Sequence, residues 1–185
     1  MSLVAVIDTE TNWNDRVMSL GVVLGDGESF RPVEGRYYVF TPEWELGGMY
    51  GDVLDLAPRS LTRYLSRAEA MEEVCVWLRQ MGVNRLFAYN ARFDCRHLQE
   101  LSGFSWYDIM ALAAYRQHNP CIPADAPCCS TGRLKKGYGV EPILRLLSGC
   151  CSYRETHNAY FDALDELRIM ELLGLPLGCY DCAGV

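Results

Sequence analysis

The chain has 185 residues, half of them apolar and 22% charged, with a net charge of −7. A chain of this length buries roughly 70% of the surface its unfolded form exposes, so a globular fold with a substantial core is expected and a disordered or repetitive chain is excluded. No apolar run approaches the ~20 residues that span a bilayer, and "MSLVAVIDTE" carries no basic leader. A cytoplasmic protein without membrane contact is the expectation.

The negative charge is the wrong sign for gripping long nucleic acid by its phosphates. Of the 17 basic residues 15 are arginine, and the only lysines, Lys135 and Lys136, stand side by side in "GRLKKGYG". They are either part of a solvated loop or a local phosphate-contacting patch. The nine cysteines are an odd number and, in a reducing compartment, are expected as free thiols. Cys179 and Cys182 form one C-x-x-C, but Cys128-Cys129 and Cys150-Cys151 are adjacent pairs without the spacing of a second knuckle, so structural zinc is not expected.

In chain order, "LVAVI" at 3–7 reads as a strand buried on both faces. Strands at 17–24 and 36–41 follow across Gly-rich turns, which makes a meander. Over 68–81, Ala70, Val74, Trp77, Leu78 and Met81 recur at helical spacing before Gly82. A short strand at 85–89 leads into a helix at 91–101, and "WYDI" into a helix at 110–117. Residues 117–140 hold Pro120, Pro123, Pro127, three cysteines and three glycines, so an irregular loop is expected there. A helix at 141–148 and a longer one within 157–173, with Ala163, Leu164, Leu167 and Met170 inward, complete an α/β layer fold of helices on a mixed sheet.

Chemistry concentrates where these segments end. In "DTE", Asp8 and Glu10 point to one face if the first strand persists through them, and two adjacent carboxylates call for protons or a hard cation such as magnesium. "YNARFD" places Asp94 in the first turn of a helix behind a buried strand, and "HNAYFD" places His157 five residues before Asp162. Five residues of regular helix turn about 500°, so His157 is expected on the loop entering the helix rather than on the helix itself.

With these three motifs in order, the chain resembles the DEDDh 3′-to-5′ exonucleases, the DnaQ-like or RNase T-like superfamily, from Leu3 to about Leu173. The resemblance implies a ribonuclease H-like fold: a mixed β-sheet, antiparallel meander plus parallel strands, flanked by α-helices. It also implies a single exonuclease domain over 1–185, with the irregular loop at about 117–140 and a short C-terminal tail at about 174–185. The implied activity is metal-dependent hydrolysis of terminal phosphodiesters of single-stranded DNA or RNA, or of short oligonucleotides, to nucleoside monophosphates. Asp8, Glu10, Asp94 and Asp162 would hold two divalent cations, Mg2+ or Mn2+, and His157 would serve as general base.

Substrate contacts are expected from backbone amides around Thr9 and Thr11, from Asn90, from Lys135 and Lys136, and from Trp13 and Phe93 as base-stacking aromatics. Core packing is the alternative for both aromatics. Two departures from the family pattern bear on these contacts. Thr11-Asn12-Trp13 stands where Thr-Gly is common, and Tyr89 stands where histidine is frequent. Asp165 and Glu166 are expected on a solvated helix face. A polymerase or repair partner and a homodimer are compatible with the sequence. Two other classes share parts of this pattern: a haloacid dehalogenase-type phosphatase, disfavoured by Asp-x-Glu in place of Asp-x-Asp, and a non-catalytic nucleic-acid or partner-binding module, which needs none of the five motif residues together.

Overall fold

The strand that the N-terminal apolar run begins does not stop with it at Ile7. In the computed structural model, which describes residues 2–185, strand β1 spans Leu3–Thr11 and carries both Asp8 and Glu10. It pairs antiparallel with β2 (Val17–Asp26), which pairs antiparallel with β3 (Pro32–Thr41), so the meander forms as expected. β4 (Thr62–Ser66) adds parallel to β3; β5 (Arg85–Ala88) runs parallel to β1, and β6 (Ser105–Asp108) parallel to β5. The six-stranded order is β4-β3-β2-β1-β5-β6. The C-terminal ends of β1, β5 and β6 therefore lie side by side, which is where open α/β sheets leave a crevice.

Strand alternation divides the core into two layers. Ala5 and Ile7 of β1 pack with α1 (Arg67–Gln80) through Ala70, Met71, Val74, Trp77 and Leu78. This helix starts on a reciprocal capping box between Ser66 and Glu69, which satisfies two backbone donors of its first turn. Val4 and Val6 pack on the opposite layer against α5 (Ala159–Leu173), through Ala163, Leu167, Ile169 and Met170. Two glycines of β2 let α5 come down onto the sheet. A Cβ at Gly21 would lie 2.0 Å from the Ala159 carbonyl oxygen, and one at Gly25 would lie 2.7 Å from Leu167. Gly21 is the cross-strand partner of Asp8, so the bare position beside that acid is the one the helix fills.

Several elements differ from the sequence expectation. β4 was not foreseen, because "TRYLS" is a half-exposed edge strand whose Arg63 and Tyr64 face solvent, and its pattern carries no buried run. The helix expected over 91–101 breaks at Leu98 into α2 (Arg92–His97) and a 3-10 turn Gln99–Leu101, a break that buries both Leu98 and Leu101. The one expected at 110–117 is a single turn, α3 (Met110–Ala113), after which Tyr115 bridges to Arg133. α4 spans Val140–Ser148, and 117–139 holds no helix or strand. The stretch read as a C-terminal tail is docked instead: a 3-10 segment Leu177–Ala183 buries Tyr180 against Phe87 and Phe30, and Asp181 pairs with Arg85. All nine cysteines are free thiols. Among the described residues, no helix is long and apolar enough to cross a membrane.

Candidate active site

The first pair of acids is aimed by β1. Asp8 and Glu10 share the strand face that looks toward α5, two residues apart as the pleat requires. Asp94 sits in the first turn of α2, immediately beyond β5, and is 2% exposed. Its Oδ1 accepts a hydrogen bond from the Thr9 hydroxyl at 2.7 Å, which fastens the second motif to the first across 85 residues of sequence. Asp162 occupies the first turn of α5 and is 3% exposed. Ligand atoms of Glu10, His157 and Asp162 lie within 4.8 Å of one another.

Such a gathering of acids is unfavourable without compensating charge. Burial raises Asp94 to about 7, although the Thr9 hydroxyl draws it partway back. Asp162 is pushed up to about 8 by burial and then by Glu155 and Asp165, and Glu10 to about 9 by burial and then by Asp162, Glu155 and Asp94. Asp8 is raised well above the usual carboxylate range, by burial first and then by the facing acids. Two buried carboxylate oxygens, Asp8 Oδ2 and Asp162 Oδ1, have no hydrogen-bond partner. A buried acceptor without a donor is the position a cation fills, and an all-oxygen set with one imidazole beside it fits hard divalent ions such as Mg2+ or Mn2+.

His157 lies outside the helix, as the five-residue offset requires. Its φ is +56°, a left-handed conformation uncommon in residues other than glycine, and strain of this kind gathers at functional sites. The ring is held by stacking on Tyr50, with centroids 4.2 Å apart and planes 14° from parallel. The next residue, Asn158, is the N-cap of α5 and is fully buried. Its Oδ1 accepts from the Tyr160 amide while its Nδ2 donates to the Val53 carbonyl at 2.8 Å, so one side chain starts the helix and ties it to the 3-10 segment Gly51–Leu56.

Glu166 corrects the sequence reading. It is 2% exposed rather than solvated, one helical turn beyond Asp162, and its Oε2 accepts from the Tyr89 amide at 3.0 Å. Burial and then the charges of Asp94, Asp162 and Glu155 raise it well above the usual range. Asp165 is half-buried and accepts from the Tyr153 hydroxyl instead of standing in water. The spacing of Asp162 and Glu166, four apart on one helix face, was the available signal; the inward apolar residues chosen for α5 masked it.

Of the residues expected to touch substrate, Trp13, Asn90, Lys135 and Lys136 are exposed, Phe93 and Thr11 are half-buried and Thr9 is buried. Trp13 is 69% exposed, which removes core packing as its role. It is presented by a built turn: buried Asn12 donates to the Glu43 carbonyl and accepts from the amides of Asn14 and Arg16, while the Trp13 amide donates to Gly47. Phe93 is half-buried with its ring 4.4 Å from that of His97, so it is neither core nor free. Thr9 is buried and committed to Asp94, and Thr11 ends β1 at a bulge. Asn90 is exposed, with φ +63°, at the junction of two shallow cavities. One, of about 290 Å³, is lined by Asn90, Arg92, Phe93 and Arg96; the other, of about 340 Å³, by Tyr89, Asn90, Met110, Arg133, Tyr138 and Gly139. Lys135 and Lys136 are exposed on the loop that supplies Arg133 and Tyr138, and do not line either cavity.

No family model and no curated protein matches the sequence. Solved structures match the fold. Exonuclease X in complex with 5′-overhanging duplex DNA superposes with a TM-score of 0.56 over 96% of both chains at 17% identity. The nuclease domain of 3′hExo, a DEDDh family member bound to rAMP, gives 0.63 over 92% of this chain and 90% of that one at 13% identity. Escherichia coli exonuclease I with a dT13 oligonucleotide gives 0.63 at 15% identity over 97% of this chain, which spans 42% of that protein. The mixed six-stranded sheet flanked by helices matches the ribonuclease H-like fold of these neighbours.

Proposed function

We propose that the protein is a metal-dependent 3′-to-5′ exonuclease that releases nucleoside monophosphates from single-stranded DNA or RNA. The observation that carries the reading is the convergence of Asp8, Glu10, Asp94 and Asp162, two of them with unpartnered buried oxygens, beside a histidine held on a strained turn. A fold that only bound nucleic acid would gain nothing from burying these charges together.

Asp8, Glu10, Asp94 and Asp162 would hold two divalent cations, which when bound supply charge to the scissile phosphate and to the leaving 3′ oxygen. His157 takes a proton from the attacking water, and the Tyr50 stack keeps its ring from turning away. Thr9 orients Asp94, and Asn158 places the first turn of α5 so that Asp162 meets β1. Trp13 offers its face to a base near the 3′ end, and Phe93 the edge of its cavity. Arg92, Arg96 and Arg133, with Lys135 and Lys136 beyond them, give the rim a positive lining in an otherwise acidic chain, suited to a few phosphates of a short strand rather than to a long duplex.

The test is hydrolysis of 5′-labelled single-stranded oligonucleotides with Mg2+ or Mn2+, comparing free and blocked 3′ ends. Stepwise shortening confined to free ends is the expected result. Equal cutting of a circular strand, or phosphate release from small monoesters that survives Asp162→Ala, would overturn the proposal. Rates on matched DNA and RNA oligomers then define the sugar preference.

A further inference from the structure

We propose that Glu166 is a positioning residue that locks the turn preceding Asp94 onto α5 and that its charge sets how tightly the acidic crevice holds its cations. The inference rests on reading that crevice as a metal centre.

The geometry is specific. Tyr89 is the first residue after β5, and its amide, at the end of a buried strand, needs an acceptor. Glu166 Oε2 provides one from the helix packed beneath, 77 residues away in sequence. The following residue, Asn90, turns with φ +63° and donates its own amide to Asp108 Oδ1 at 2.9 Å. Two carboxylates on different elements thus grip consecutive amides, and the Asn90 carbonyl then accepts from the Phe93 amide at 2.9 Å to start the helical turn that carries Asp94. If the turn slips, Asp94 moves relative to Asp8 and Asp162.

A neutral acceptor would satisfy the Tyr89 amide equally well. A carboxylate at this depth, 2% exposed and one helical turn from the equally buried Asp162, stands beside acids the crevice already gathers. In the cation-free protein the charge is therefore unfavourable. It becomes favourable when cations enter beside it, so the choice of Glu over Gln makes sense as a fifth negative charge behind the four ligands.

Two variants of the full chain separate the hydrogen bond from the charge. Glu166→Gln keeps an acceptor for Tyr89 and loses the charge; Glu166→Ala loses both. Calorimetric titration with Mn2+ alone is expected to give about tenfold weaker binding for Glu166→Gln. The same variant should melt at higher temperature in EDTA and regain most of the wild-type rate on oligonucleotides at saturating Mn2+. Glu166→Ala should stay slow at saturation, and rescue by Gln then marks positioning. Wild-type Mn2+ affinity in Glu166→Gln overturns the charge role, and a wild-type saturated rate in Glu166→Ala overturns the positioning role. If Glu166→Ala does not fold, a saturated rate for Glu166→Gln within twofold of wild type supports positioning and a collapsed one overturns it. A wild-type protein that binds no Mn2+ removes the metal reading and the inference together. One that binds Mn2+ but cleaves no oligonucleotide removes only the exonuclease reading, because the Mn2+ affinities still decide what the charge of Glu166 does.

Discussion

The floor and the rim of the crevice are built by opposite means. On the floor, Asp8 stands on a strand and Asp94, Asp162 and Glu166 on helices, the last three almost fully buried; Thr9 holds Asp94 and the Tyr89 amide holds Glu166. On the rim, Trp13, Asn90, Lys135 and Lys136 stand on turns and are exposed. Floor side chains have few alternative positions and rim side chains many; under the proposed function the first suits chemistry that tolerates little displacement and the second a strand of any sequence. The comparison also separates costs. The floor stores repulsion that only cations or protons relieve, whereas the rim stores almost none.

The largest expected effect comes from breaking the floor. Asp162→Ala should lower the exonuclease rate by about 10³-fold or more, read from initial rates at saturating metal, while raising the melting temperature in EDTA by removing one buried like charge. A rate within tenfold of wild type would show that catalysis does not use this floor. His157→Ala should cost about 10²- to 10³-fold in kcat with Mn2+ binding retained by calorimetry. Lost Mn2+ binding would instead make the imidazole a ligand, an alternative its place in the converging trio leaves open to test.

The rim responds more mildly. Trp13→Ala should raise KM for oligonucleotides by about 5- to 100-fold, the equivalent of one stacked base, and leave the melting temperature within about a degree because the ring is 69% exposed. A large drop in melting temperature would mean that Trp13 supports the 12–16 turn rather than serving substrate.

A pH series sharpens the contrast in stored repulsion. In the cation-free fold Asp94, Asp162 and Glu10 keep protons up to about 7, 8 and 9, whereas the unfolded chain releases them near 4. The folded state binds more protons throughout this window, so the melting temperature in EDTA should fall, by some degrees, as pH rises from 5 to 9. Saturating Mg2+ should flatten the slope, and a slope already flat in EDTA would deny the repulsion. The smallest effect belongs to Lys135→Ala and Lys136→Ala: a loss of affinity within about fivefold, seen at low salt and screened at high salt.

Much of the floor was legible in sequence, for local reasons. "DTE" at the end of an apolar run places two acids on one face once the strand continues, and "NARFD" puts Asp94 in a first helical turn whatever surrounds it. The five-residue offset required His157 to leave the helix, and it does, with Asn158 as the cap. Glu166 was legible only as an acid four residues beyond Asp162 on the same helix face; its partner is a backbone amide, and amides leave no mark in the sequence. The edge strand β4 and the docked 177–183 segment escaped for a related reason: each is justified by the element it covers, not by a periodicity of its own.

By itself the sequence determined the alternation of strands and helices, the shared face of Asp8 and Glu10, and the first-turn position of Asp94, since backbone geometry alone sets periods of two and 3.6 residues. Only the tertiary structure decided which polar residues are buried and which aromatic ones are not. Glu166 went inward because α5, admitted by Gly21 and Gly25, lies close enough to β5 to meet the Tyr89 amide, and Trp13 stayed outside because Asn12 spends its hydrogen bonds on the turn that holds it there.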